Sequence, residues 1–187
     1  MNGSKTKSYN RSDLLSFLGE KHANKTWSRR SKTVVSSREK GLTKSISLMA
    51  ENYSMVMLSI GKALKVESEE VLYKAGETLA SENFKQIKAP DLRRALSLVA
   101  NFYADRELGR LTIDGANKGI LLVRMYDCTT CIAAKKDGQT HCWIDAGFLA
   151  GALKKTLQTD YVVIETKCRG TGSEYCEFMI ARKRFER

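Results

Sequence analysis

Residues 142–176 carry four side chains of the kinds that grip a metal ion. They are Cys142, Glu165 twenty-three positions on, Cys168 three further, and Cys176 eight further. Thiolates and carboxylates are zinc ligands, and four of them make a closed tetrahedral set. No other feature constrains the fold as much, because closing the set means bringing several segments to one point. Cys142 lies just before an apolar stretch led by Trp143, and a helix starting there favours the thiolate form. Glu165 closes a β-rich stretch. Along a strand running past it, Glu165 and Cys168 would point to opposite faces, so the chain is expected to turn between them. The loop 169–172, with Gly170 and Gly172, is flexible enough to return Cys176 to the start of a last strand. Spacing alone leaves another reading open, in which the cysteines are small buried hydrophobes and Glu165 is a surface carboxylate.

The rest of the chain supplies an α+β frame. Apolar residues recur at helical spacing in 46–64 (Met49, Tyr53, Met57, Ile60) and in 67–84 (Val71, Ala75, Leu79, Phe84). Pro90 stands where a third helix would begin, continued by Leu92, Leu96, Val99, Phe102 and Tyr103. Then the period changes. Residues 110–114 alternate, 120–126 are β-rich, and 115–119 between them read as a hairpin loop. Residues 141–158 are again helical and unusually small, with Gly147, Ala150 and Gly151 forming a face that lets another element approach closely. Strands are expected at 161–166 and 176–181. Helices therefore come first, followed by an antiparallel sheet interrupted by one packed helix.

The charge is unevenly placed. Of a net +11, residues 1–45 carry +8 (11 Lys/Arg against 3 Asp/Glu), and 46–187 carry +3 (21 against 18). This divides the chain into a basic leader, 1–45, and a main domain, 46–187. The leader reads as a solvated segment or as an arm for nucleic acid. Within it, 13–21 could form two helical turns capped by Ser12, and 33–35 favour β structure. No apolar run approaches the ~20 residues of a membrane span, and residues 1–10 lack a secretory apolar core. A cytoplasmic location is expected, where cysteines serve as ligands or redox thiols before they serve as disulfides.

The segments 142–151 (Cys142, Trp143, Gly147, Gly151), 164–168 (Ile164, Glu165, Cys168), Gly170 with Gly172, and 176–178 (Cys176, Glu177, Phe178) resemble the 4-vinyl reductase domain family, most closely its archaeal stand-alone members. The resemblance covers roughly 76–181. That domain is similar to the ligand-sensing domain of phenol-responsive regulators, and more distantly to transport components of the TRAPP complex. In the phenol sensors three cysteines and a glutamate hold a structural zinc, and their spacing matches Cys142, Glu165, Cys168 and Cys176. The resemblance also implies an apolar pocket between sheet and helices, for which Phe102, Tyr103, Ile113, Leu121, Val123, Trp143 and Phe148 are candidates. The bland alternative is that these residues simply make the core. Leu121 and Val123 share a strand face and should point inward. A homodimer is expected.

Cys128 and Cys131 form a C-x-x-C, read as a redox dithiol or half of a second metal site. Completing such a site would need Asp127 or His141. His22 and His141 are the only histidines and read as surface residues, while Asp145 suits the first turn of its helix without any further role. There is no nucleophile–base pair, dinucleotide fingerprint or phosphate loop. The leading expectation is a zinc-stabilised module that binds or senses an apolar or aromatic molecule. The rival readings are a thiol-based redox-responsive module and a component of a vinyl tetrapyrrole reductase whose reductant comes from elsewhere.

Overall fold

The computed structural model describes residues 43–64, 68–117 and 119–183, all within one unit spanning 31–187. The expected turns at 13–21, the patch at 33–35, His22 and residues 1–42 of the basic leader lie outside the described residues, while 43–45 begin the first helix. Among the described residues, four helices and four strands follow in order: α1 Thr43–Leu64, α2 Ser68–Asn83, α3 Leu92–Asp105, β1 Arg110–Asn117, β2 Ile120–Tyr126, α4 Trp143–Leu157, β3 Tyr161–Lys167 and β4 Cys176–Arg182. The sheet is antiparallel throughout, in the order β1-β2-β4-β3. None of the described helices is long and apolar enough to cross a membrane.

Helix α4 is the centre of the described fold, with ten of its fifteen residues buried. It can sit there because its face toward α2 has almost no side chains. A Cβ added at Gly147 would lie 2.7 Å from the Tyr73 carbonyl carbon, and one at Gly151 would lie 2.7 Å from the Glu77 oxygen. From the other side, a Cβ on Gly76 would lie 2.6 Å from the Phe148 amide nitrogen. Two helix backbones thus touch through three glycines, as the small face at 147–151 suggested. The opposite side of α4 covers the sheet, where Val123, Phe178, Ile180 and Val163 lie buried in register on one face.

The outer helices correct two apolar stripes. On α1, Met57 is buried but Met49 is 74% exposed, and Tyr53 and Ile60 keep 38% and 39% of their surface exposed. The buried side is fixed instead by Ser54, whose hydroxyl donates to the Thr130 carbonyl (3.0 Å) and accepts from the Ala133 amide (3.0 Å). On α2 the buried face is Leu72, Gly76 and Ala80, one position off the expected Val71, Ala75 and Leu79. Small residues face inward there because α4 approaches so closely. Helix α3 begins two residues after Pro90, with Asp91 as N-cap accepting from the Arg94 amide at 2.8 Å.

Two β-bulges shape the sheet. One at Asp114 resets β1, so that Gly115, Ala116 and Asn117 pair with Leu122, Leu121 and Ile120. The residues expected to form a hairpin loop are therefore mostly strand, and the turn closes at Gly119, which has positive φ. The second bulge, at Thr166, positions the functional site.

Candidate metal centre

The bulge at Thr166 resolves the facing problem that the sequence posed. Glu165 pairs with Phe178 and Lys167 with Glu177, which leaves Thr166 as the extra residue. Alternation then places Glu165 on the α4 side, Lys167 on the outer side and Cys168 on the α4 side again. Lys167 meets Glu177 there at 3.1 Å, and the Thr166 hydroxyl donates to the Glu177 carbonyl and carboxylate (3.2 and 3.0 Å). The strand thus runs past Glu165 to Lys167 and bulges where a turn was expected.

The loop after β3 is held in place rather than flexible. The Cys168 amide donates to Thr171 Oγ1 (3.0 Å), that hydroxyl donates back to the Cys168 carbonyl (2.8 Å), and the Ser173 amide donates to the same carbonyl (3.0 Å). Gly170 packs so tightly on the preceding loop that a Cβ would lie 2.6 Å from the His141 ring, and its carbonyl accepts from the Gly138 amide at 3.0 Å. Cys176, paired with Met125, then enters β4 on the α4 side.

Cys142, Glu165, Cys168 and Cys176 converge, their ligand atoms all within 4.8 Å of one another and all buried. Cys142 is the N-cap of α4, as expected, and its backbone amide donates to Glu165 Oε2 at 2.8 Å. Glu165 Oε1 is buried and accepts no hydrogen bond. An orphaned carboxylate oxygen among thiols is costly to bury and is a natural acceptor for a cation. The donor set fits a thiolate-preferring metal ion.

The sequence kept Cys128 and Cys131 apart from this set, but the fold brings them in. Cys128 Sγ lies 3.6 Å from Cys142 Sγ, and Cys131 Sγ lies 3.3 Å from Cys176 Sγ. Together with Cys142 and Cys176 they make a second group whose sulfurs all lie within 4.8 Å of one another. Neither of the helpers proposed from the sequence is used: Asp127 is exposed, and His141 pairs with Asp137 at 3.1 Å. All five cysteines are free thiols.

The five thiols do not ionise alike. Hydrogen bonds with Cys131, Cys142 and Cys176 hold Cys128 well below the ordinary thiol range. Cys131 falls to about 5, its bond with Cys128 pushing up while those with Cys142, Cys168 and Cys176 pull down further. Cys168 falls to about 7, opposed by Cys131 and lowered by Cys142 and Cys176. Burial pushes Cys142 up, bonds with Cys128 and Cys131 raise Cys176, and burial raises Glu165 well above the usual carboxylate range. Part of the cluster therefore gathers negative charge in a dry interior, a situation a bound cation relieves.

Sequence reasoning missed two supports. Asp145 is buried, accepts from the Tyr103 hydroxyl at 2.8 Å and lies 3.9 Å from Cys128 Sγ; burial pushes its carboxyl up to about 6. Its first-turn position gave no sign of this. Ser54, on α1, pins the loop that carries Cys131, and nothing in the local pattern marks it.

The pocket candidates divide into groups. Phe102, Tyr103 and Phe148 stack with Phe84 in an aromatic cluster, with Phe102 and Phe148 centroids 4.7 Å apart. Val123 is buried against the core, and Trp143 is half-buried as the first residue of α4. Ile113, 46% exposed, and Leu121 line a cleft of about 380 Å³ between α3 and the β1–β2 hairpin, together with Leu92, Leu96 and the bulge at Asp114.

Known proteins match the same region. The V-4-R (vinyl-4-reductase) domain model matches residues 121–182, a stretch containing all five cysteines and Glu165. An uncharacterized protein of Methanocaldococcus jannaschii is 30% identical over 124 residues, covering 66% of this chain and 70% of that protein. A second uncharacterized protein of the same organism is 28% identical over 134 residues (68% and 76%). Among solved structures, the phenol-responsive sensory domain of the transcription activator PoxR, determined with phenol, superposes with a TM-score of 0.53 at 13% identity (71% and 74%). A trafficking protein particle complex subunit 3 from Naegleria fowleri, covalently bound to palmitic acid, gives 0.60 at 14% identity (77% and 99%). At these identities the two structures establish a shared fold.

Proposed function

The chain belongs to the vinyl-4-reductase domain family, and from that premise we propose that it is a zinc-stabilised module that binds a small apolar or aromatic molecule in a regulatory role. The observation that carries the metal part is the closed, buried donor set with its orphaned Glu165 oxygen. Zinc is the ion that suits a closed site of thiolates and one carboxylate. Five free thiols fit a reducing compartment, hence the cytoplasm.

For the ligand part, two proteins of this fold hold phenol and palmitic acid, and this chain offers the cleft bounded by Leu92, Leu96, Ile113 and Leu121. Helix α3 carries two of those residues and also Tyr103, which holds Asp145 beside Cys128. A ligand that moves α3 would thus be felt at the metal centre. A second copy of the chain is the proposed partner, because Met49, Tyr53, Val56 and Ile60 run as one exposed stripe along α1, with Val71 and Leu79 exposed on α2.

The test of ligand binding is a thermal-shift screen of phenols, short hydrocarbons and fatty acids on the metal-loaded chain. A ligand at 100 times its Kd adds about 2.7 kcal/mol. Leu121→Trp, which fills the cleft, is expected to abolish the shift with metal content unchanged. The ligand reading fails if no class stabilises the protein, or if the tryptophan variant responds as fully as the parent.

A further inference from the structure

The two groups of ligand atoms share Cys142 and Cys176, and from that sharing we infer a binuclear metal centre in which these two thiolates bridge a pair of ions. This rests on the metal reading above and extends it from one ion to two.

A single tetrahedral ion cannot use what the fold has gathered. Placed among Cys142, Glu165, Cys168 and Cys176, it leaves two buried sulfurs outside its shell, Cys128 beside Cys142 and Asp145, and Cys131 beside Cys176. Placed among Cys128, Cys131, Cys142 and Cys176, it leaves the Glu165 oxygen orphaned and Cys168 unused. Two tetrahedra that share one edge have six corners, and there are six donors here, five sulfurs and one carboxylate. Cys142 and Cys176 form the shared edge, Cys128 and Cys131 complete one ion, and Glu165 and Cys168 complete the other.

The spacings fit that geometry. Metal–sulfur bonds of about 2.3 Å give a tetrahedral edge of roughly 3.8 Å. The sulfurs lie 3.5 Å apart for Cys142–Cys176, 3.6 Å for Cys128–Cys142, 3.3 Å for Cys131–Cys176 and 3.9 Å for Cys142–Cys168. Disulfides, at about 2.05 Å, are a different arrangement. The charge is also consistent. One dication with three thiolates and a carboxylate carries −2, and a second dication held with the thiolates of Cys128 and Cys131 leaves the total at −2. The second ion therefore brings no additional buried charge. Its two terminal ligands are held by backbone that is itself anchored: Ser54 bonds at Thr130 and Ala133, and the Thr129 amide donates to the Leu108 carbonyl at 3.1 Å.

The experiment is a cadmium titration of the metal-stripped full chain, read by native mass spectrometry and by cadmium-113 NMR. The expected result is two ions per chain, with two resonances coupled to each other through the shared sulfurs. The double variant Cys128→Ser/Cys131→Ser is expected to hold one ion, and so is Glu165→Gln/Cys168→Ser. Saturation of the wild-type chain at one ion overturns the bridge and leaves the mononuclear reading standing. Two ions without mutual coupling overturn it as well. No bound ion overturns both readings. The NMR outcome needs only the wild-type chain, so a variant that fails to fold does not decide the matter.

Discussion

Replacing Gly147 by alanine in α4 is expected to destabilise the protein, although alanine is the better helix former by about 1 kcal/mol. The new Cβ would lie 2.7 Å from the Tyr73 carbonyl carbon and 2.9 Å from its Cα, where ordinary van der Waals contact begins near 3.4 Å. What it meets is helix backbone, so no side-chain rotation relieves the overlap, and α2 must retreat by roughly 1 Å. A gap of that size removes a quarter to a half of the dispersion energy of each contact along the seam. Overpacking of this kind costs about 1–3 kcal/mol or more, and a rigid obstacle belongs at the upper end. After the gain in helix propensity, the expected net loss is about 2 kcal/mol, a fall in Tm of about 4–8 °C for a chain of this size. Gly61 on α1 provides the control, because nothing lies within 4 Å of a Cβ added there. Gly61→Ala should be neutral or stabilising by up to about 1 kcal/mol. Both are read by urea and thermal denaturation with metal content measured on each sample. A Gly147→Ala protein as stable as its parent would refute backbone-to-backbone packing of α2 on α4.

Other consequences follow from the hydrogen bonds around the centre and from the exposed stripe. Ser54→Ala leaves the Ala133 amide without its partner and should cost about 1–3 kcal/mol, with faster loss of metal to a chelator, both measured on the same preparation. Tyr103→Phe removes the hydroxyl that donates to buried Asp145, and a loss of about 1–3 kcal/mol in denaturation is expected. Metal removal by a strong chelator at neutral pH should unfold the 128–176 region, seen as loss of amide-exchange protection there, since metal binding is folding free energy. Val56→Glu on the α1 stripe should shift light-scattering mass from dimer to monomer while leaving metal content intact; an unchanged mass would remove that face as the interface.

Much of this could be read from residue types, and the reasons for the remainder are physical. Cys142, Glu165, Cys168 and Cys176 stand out because few side chain types bind metal and because the family resemblance matches their spacing; the fold brings these four together. The close-packing face of α4 was legible because three small residues on one face have few other uses. The buried faces of α1 and α2 were not. Hydrophobic periodicity selects large residues such as Val71 and Leu79, whereas a close helix approach buries the small ones, Gly76 and Ala80. Cys128 and Cys131 looked unaccompanied because their neighbours, Cys142 and Cys176, were already assigned to another set, and sharing of ligands leaves no mark in spacing. Asp145 resembled any acidic residue in a first turn until Tyr103, 42 positions away, was found to hold it.

The central claim, that these buried thiols and Glu165 hold a metal, is tested most directly by X-ray absorption at the zinc edge on the purified chain. The expected spectrum has a first shell dominated by sulfur at about 2.3 Å with a minor oxygen component near 2.0–2.2 Å. A shell made only of oxygen and nitrogen, or no zinc to measure in protein purified without chelator, would contradict it.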